Sequence, residues 1–224
     1  MHKVVNPSIL YLGTPVVLIS TVNENGSFNL APISSVFWLG YRCIIGIAAS
    51  SKSTENILRS RECVLNMPSE DMASSVDRLA LTTGSHPVPE GKMLKGYRYE
   101  PNKFQQAGLT PVPSQIVGAP RVAECPVQLE AAFVNIHPLA METGIGNIRT
   151  VTMELKILRV HMDSQILMND KPDHVDPDKW RPLIMSFQKF YGLGAQVGQS
   201  TLAQVPESLY RTVDTEMAGE RKIA

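Results

Sequence analysis

The run of residues 150–162, TVTMELKILRVHM, constrains this chain more than any other stretch. Val151, Met153, Leu155 and Ile157 alternate with polar residues, and the apolar role then passes to Leu158, Val160 and Met162. A period of two puts one set of side chains on one face of a strand. A change of phase marks an inserted residue, so a β-bulge is expected near Ile157 and Leu158. Residues 144–147 (GIGN) read as the turn that precedes this strand. Shorter runs repeat the theme. Residues 15–22 (PVVLISTV) are β-branched and apolar, residues 23–27 (NENGS) have turn chemistry, and residues 28–39 resume a strand-like pattern, so the two runs are expected to form a hairpin. Residues 43–49 (CIIGIAA) are apolar on both faces, residues 62–67 form a further strand stopped by Pro68, and residues 126–137 place Val127, Leu129, Ala131 and Phe133 on one face. About six such strands, with turns and only short helices between them, argue for a mainly β fold built as a closed or nearly closed antiparallel barrel.

The intervening segments are of three kinds. Ser51 or Ser53 can cap a short helix running through Glu55, Asn56 and Leu58. Ser69 is expected to cap a second helix with Met72, Val76, Leu79 and Ala80 on its apolar face. Residues 84–121 hold Pro87, Pro89, Pro101, Pro111, Pro113 and Pro120 and read as a long irregular excursion, with one helical turn over residues 102–107. A loop of that length in a compact domain is usually functional or an interface element. Beyond residue 163 lies a C-terminal extension. Residues 176–182 (DPDKWRP) read as a helical turn, residues 183–193 carry aromatics spaced for a packed face, and residues 196–224 read as a polar, surface-hugging tail. The whole of residues 1–224 is expected to form one domain, with barrel strands mainly within residues 15–163.

Composition excludes several classes. Lys plus Arg and Asp plus Glu both total 21, so no global positive field is available for a nucleic-acid backbone. No apolar run approaches the ~20 residues of a membrane span, and the N-terminus lacks the pattern of a signal peptide. Cys43, Cys63 and Cys125 lie far apart in no metal-like spacing, so free buried thiols and a cytoplasmic setting are expected. His2, His86, His161 and His174 have no ligand spacing, and no metal site is expected.

Two segments carry chemistry. Residues 50–56 (SSKSTEN) follow an apolar strand and open a helix. Free N–H groups at a helix start, three serines, a threonine and a lysine are what a phosphate monoester requires, although a solvated cap reads the same way. Residues 29–35 (NLAPISS) put a proline and two serines in an otherwise apolar strand, which is expected to be bulged or at an edge at Pro32. Backbone groups freed there can read a planar heterocycle edge-on. An ordinary edge strand is the alternative.

The ordered set resembles the flavin-reductase-like family of FMN-binding split barrels. It is carried by TPVVLISTVNENGSFNLAPISSVFWLG, ASSKSTENILRSRECVLNMPS and DKWRPLIMSFQKFYGLG, with NKFQQAGLTPVPS and APRVAECPVQLE between them. The resemblance implies an antiparallel Greek-key split barrel, bound FMN, a homodimer and hydride transfer from NAD(P)H to flavin, with a monooxygenase or other redox partner downstream. It implies that Pro32, Ile33, Ser34 and Ser35 lie at the isoalloxazine ring. Ala49, Ser50 and Ser51 would lie near the ribityl chain and phosphate, and Lys52, Thr54 and Asn56 at the phosphate. Phe190 and Tyr191 either approach the ring or fill the core. No acid–base residue is required, because the hydride chemistry belongs to the cofactor. Many family members carry a G-D-H-like motif in a late strand, where this chain reads Asn135-Ile136-His137-Pro138-Leu139. That departure keeps a second class open, a non-enzymatic FMN electron carrier, beside a third, a cofactor-free β-barrel interaction protein.

Overall fold

The computed structural model describes residues 1–139, 150–171 and 173–215. Its strands in chain order are β1 (Leu12–Pro15), β2 (Val17–Val22), β3 (Phe28–Ile33), β4 (Val36–Leu39), β5 (Arg42–Ala48) and β6 (Glu62–Met67), then the short β7 (Thr82–Thr83), β8 (Arg98–Tyr99), β9 (Pro111–Val112) and β10 (Arg121–Val122), then β11 (Val127–Pro138), β12 (Thr150–Met162), β13 (Ile184–Ser186) and β14 (Lys189–Tyr191). The helices are α1 (Lys52–Ser60), α2 (Ala73–Asp77), α3 (Glu90–Met93) and α4 (Lys103–Ala107).

The fold is mainly β. Seven strands pair antiparallel in the order β3-β2-β6-β11-β12-β5-β4. The two edge strands, β3 and β4, are consecutive in sequence, with only Ser34 and Ser35 between them. The chain therefore crosses from one edge of the sheet to the other in two residues. Among the described residues no ladder joins these edges, so the barrel is split and not closed. Residues 28–39 are accordingly not one strand: the hairpin partner of β2 ends at Ile33, and the rest turns away to pair with β5. Pro32 lies in register opposite Leu18 with no shift along the β2–β3 ladder. It thus sits at an edge without a bulge, and an edge is where its missing N–H costs no ladder bond.

The phase switch in residues 150–162 has the expected cause. Ile157 pairs with Ala131 and Arg159 with Glu130, so Leu158 is the extra residue. Leu158 leaves the main core for a small cluster with Val64, Val117 and Ala119, and Val160 takes up the core face. A second bulge falls at Val134 on β11, between the Phe133 and Asn135 pairings. The GIGN stretch lies outside the described residues.

β2 is buried on both faces and separates two cores. Val17 and Ile19 join Ile45, Ile57, Leu65, Met153 and Leu155 inside the split barrel. Val16 and Leu18 face Met72, Val76, Leu79, Phe104, Ala107 and Leu183. Ala80 is exposed, one position outside the expected apolar face. Ser69 does not cap by accepting a backbone hydrogen bond: its hydroxyl donates to the Asp71 carboxylate instead, and a short 3-10 turn precedes α2. Residues 176–182 form the single helical turn expected, closed by the Trp180 N–H on the Asp176 carbonyl. Residues 183–193 become the β13–β14 hairpin against β1, with Phe190 packed on the second core and Tyr191 exposed.

Of the tail, residues 196–215 are described, and they are held at separate points. Val197 and Leu202 are exposed. Glu207 meets His174 at 2.8 Å, and Asp214 joins Arg42 and Lys156, each at 2.6 Å. The hydrogen bonds from Arg42 and Lys156 pull the Asp214 carboxyl down to about 2.

All three cysteines are free and buried. Burial pushes the Cys43 thiol up to about 12 and raises the other two, so these are packing residues and poor nucleophiles.

Candidate functional site

β5 runs out at Ala48, and α1 begins four residues later. Ser51 is the N-cap in an extended conformation, with its Oγ accepting the Thr54 N–H at 3.1 Å. The Thr54 hydroxyl donates to the Ala48 carbonyl at 2.8 Å, tying the helix start to the strand end. Asn56 is fully buried, and its amide nitrogen donates to Thr21 Oγ1 and Asn23 Oδ1, each at 2.9 Å. Asn29 donates to Ser53 Oγ at 3.1 Å. These bonds lock α1 onto the β2–β3 hairpin. Thr54 and Asn56 therefore face inward and hold the helix in place, while the outward groups at its start are Ser50, exposed, and Ala49, Ser51 and Lys52, half-buried. The first N–H groups of any helix, here those of Lys52 and Ser53, have no intrahelical acceptor. Lys52 Nζ meets Glu55 at 2.6 Å and Glu24 at 3.9 Å, and the hydrogen bond from Lys52 lowers the Glu55 pKa.

The Ser34–Ser35 link reaches the same end of β5. The Ser35 carbonyl accepts the Gly46 N–H at 2.7 Å. A Cβ on Gly46 would lie 3.0 Å from the Ser35 Cβ, so the missing side chain is what admits the link. Ile33 and Ser34 are half-buried and Ser35 is exposed. The structure thus brings residues 32–35 and residues 49–52 to one strand end, at the split between the sheet edges.

A third wall was missed by sequence reasoning. The excursion lays Gly84 against α1 and β3: a Cβ there would lie 2.5 Å from Asn29 Oδ1 and 3.3 Å from Lys52 Cγ. Immediately before it, Thr82 Oγ1 accepts a 2.6 Å hydrogen bond from Lys103, and Thr83 Oγ1 accepts one of 3.0 Å from Lys92. Lys103 is only 2% exposed, and among the described residues no carboxylate lies within ion-pair distance of either lysine, Glu100 acting on Lys103 only from further away. Burial, with Lys92 nearby, drops Lys103 to about 8, and burial also lowers Lys92. Buried charges are ordinarily paired. Two lysines resting on neutral hydroxyls leave positive charge for an anion to neutralise. The available signal was a lysine beside Phe104 at the start of an apolar helical turn, KFQQA, inside a segment otherwise read as irregular.

A phosphate-bearing aromatic group fits this arrangement. The α1 start offers N–H and hydroxyl donors, and Lys103 and Lys92 bring positive charge that rests on neutral hydroxyls. Among the described residues no group of three His, Cys, Asp or Glu is placed to hold a metal, and no helix is long and apolar enough to cross a membrane. His137 lies exposed near the end of β11, paired with Thr152.

Comparison with known proteins covers most of the chain. Residues 10–193 match the model of the flavin reductase like domain. The uncharacterized protein YdfE of Bacillus subtilis (strain 168) is 35% identical over 198 residues, spanning 88% of this chain and 92% of that protein. Flavoredoxin of Desulfovibrio vulgaris (Miyazaki F) is 20% identical, with a TM-score of 0.72 over 92% of this chain and all of that one. Nitrilotriacetate monooxygenase component B from Bacillus cereus is 17% identical, with a TM-score of 0.67 over 86% of this chain and 89% of that one. At such identities the two structural matches show the fold.

Proposed function

Because the chain belongs to the flavin reductase-like family, we propose that it binds FMN at the split and acts as a cytoplasmic, homodimeric oxidoreductase that passes hydride from NAD(P)H to bound or free flavin. The observation that carries this reading is the meeting of the α1 N-terminus and the Ser34–Ser35 link at one end of β5, with Gly84 of the excursion packed against Lys52. Ser50, Ser51 and Lys52 would hold the phosphate, with the helix start supplying N–H donors. Lys52 would exchange part of its bond to Glu55 for the ligand. Thr54 and Asn56 act by fixing that helix start. Pro32, Ile33, Ser34 and Ser35 would face the ring, where an edge strand leaves backbone groups unpaired. Lys103 supplies buried positive charge beside the site. When bound, the flavin supplies the hydride and electron chemistry, and the protein orients it and excludes water.

A second reading has its own support. His137 stands between Ile136 and Pro138 without the glycine and aspartate of the family motif, and a flavoredoxin shares the fold. An electron carrier serving a redox partner such as a monooxygenase would bind FMN without turning over NAD(P)H. Steady-state NADH and NADPH oxidation with FMN decides between them: turnover supports the reductase, and flavin binding without turnover supports the carrier. Dimerisation is checked by light scattering, and a monomeric mass would refute it.

A further inference from the structure

A cleft of about 240 Å³ lies between the β2–β3 turn and the excursion, with Lys52 of α1 in its wall. Two rings line it: His86 and Tyr99 stack with centroids 4.7 Å apart and planes tilted by 42°. Tyr99 keeps 43% of its surface exposed. Two carboxylates, Glu24 and Glu100, share the lining, and Lys52 contributes the one cation. The cleft is smaller than the ~300 Å³ of the smallest drug-sized pockets, which suits one nucleoside rather than a whole dinucleotide.

We propose that this cleft binds the adenosine half of an adenine dinucleotide, its base stacked on the His86–Tyr99 pair and its ribose hydroxyls donating to Glu24 or Glu100. Exposed aromatic faces in a polar cleft hold bases by stacking. A carboxylate accepts from the ribose 2′-hydroxyl and repels a 2′-phosphate, so the unphosphorylated ribose is selected. Lys52 stands between this cleft and the start of α1, where it can meet the 5′-phosphate. The adenosine belongs either to a flavin adenine dinucleotide or to a nicotinamide adenine dinucleotide. That choice rests on the flavin reading above; the adenosine site itself does not.

Titration calorimetry with AMP, on the protein with and without saturating FMN, tests the site. Wild type is expected to bind AMP. Tyr99→Ala and His86→Ala are each expected to weaken binding about tenfold, with melting temperature and FMN affinity unchanged. Adenosine 2′,5′-bisphosphate is expected to bind more weakly than AMP, and Glu24→Gln combined with Glu100→Gln to remove that difference. FAD binding more tightly than FMN, with the excess lost in Tyr99→Ala, assigns the adenosine to the cofactor. NADH displacing AMP from the FMN-loaded protein assigns it to the hydride donor. AMP binding with neither effect overturns the dinucleotide assignment. No AMP binding by wild type, or equal binding by wild type and both ring variants, overturns the site. AMP binding in a protein that takes no FMN would sink the flavin reading and leave this one standing.

Discussion

Replacing Glu130 by alanine should loosen the excursion more than any other single change. Glu130 is fully buried on β11, yet it is satisfied from every side. One oxygen accepts the Gln115 N–H at 2.9 Å and meets His161 Nε2 at 2.6 Å; the other accepts the Ile116 and Val117 N–H groups at 2.6 and 3.1 Å. Gln115 and Ile116 are exposed and regain water when the carboxylate goes, so each loses only the net value of a hydrogen bond to a charged group, ~1.5 kcal/mol. Val117 is 8% exposed, and its stranded N–H costs about 1–3 kcal/mol. The total is about 5 kcal/mol, or a melting point lower by roughly 10–20 °C in a chain of this size. Urea unfolding at pH 7 measures it. Glu130→Gln keeps one carbonyl acceptor and should lose less. The hydrogen bonds outweigh burial and lower the Glu130 pKa, so its contribution is full above the ordinary carboxylate range and is lost as pH falls through the lowered native value. Wild type should therefore lose stability in acid more steeply than Glu130→Gln. An alanine variant within ~1 kcal/mol of wild type would refute the reasoning, because surface changes fall in that range.

Lys103→Met removes a buried cation held on the neutral Thr82 hydroxyl, so the ligand-free protein should be as stable or more stable, while FMN affinity should drop about tenfold or more; thermal melts and flavin fluorescence titration read both. Since Lys103 is held near 8, FMN affinity in wild type should weaken as pH rises from 7 to 9, and this dependence should vanish in the methionine variant. Gly84→Ala places a Cβ 2.5 Å from Asn29 Oδ1, so the buried Asn29 side chain or the excursion must shift; a loss of ~1–3 kcal/mol in urea unfolding and weaker FMN binding are expected. Asp214→Asn removes the carboxylate charge that ties the tail to Arg42 and Lys156, and hydrogen exchange in the last described residues should quicken while FMN affinity stays constant.

The strands were legible because their pattern is local. Alternation in residues 150–162 located the bulge near Leu158, and the β-branched, apolar run in residues 15–22 proved to be a strand lying between two cores. What stayed hidden depends on partners distant in sequence. Residues 28–39 carry an unbroken strand pattern, and only their pairing, first with β2 and then with β5, shows that the chain crosses the split within them. Ser50, Ser51 and Lys52 could be picked out as a helix start, but the same polar chemistry also singled out Thr54 and Asn56, whose side chains turn inward to Ala48, Thr21 and Asn23. Lys103 gave little sign of itself, because a lysine in a short helical turn is usually solvated. Its burial comes from Thr82, more than twenty positions earlier in the chain.

The central claim is that a phosphate-bearing flavin binds where the α1 start meets the split. Titrating the flavin-free protein with FMN and with riboflavin, in wild type and in Lys52→Ala, tests it most directly. FMN is expected to bind at one site per chain with quenched fluorescence and far more tightly than riboflavin, and Lys52→Ala should narrow that gap. Absence of FMN binding, or equal affinity for FMN and riboflavin in both proteins, would contradict it.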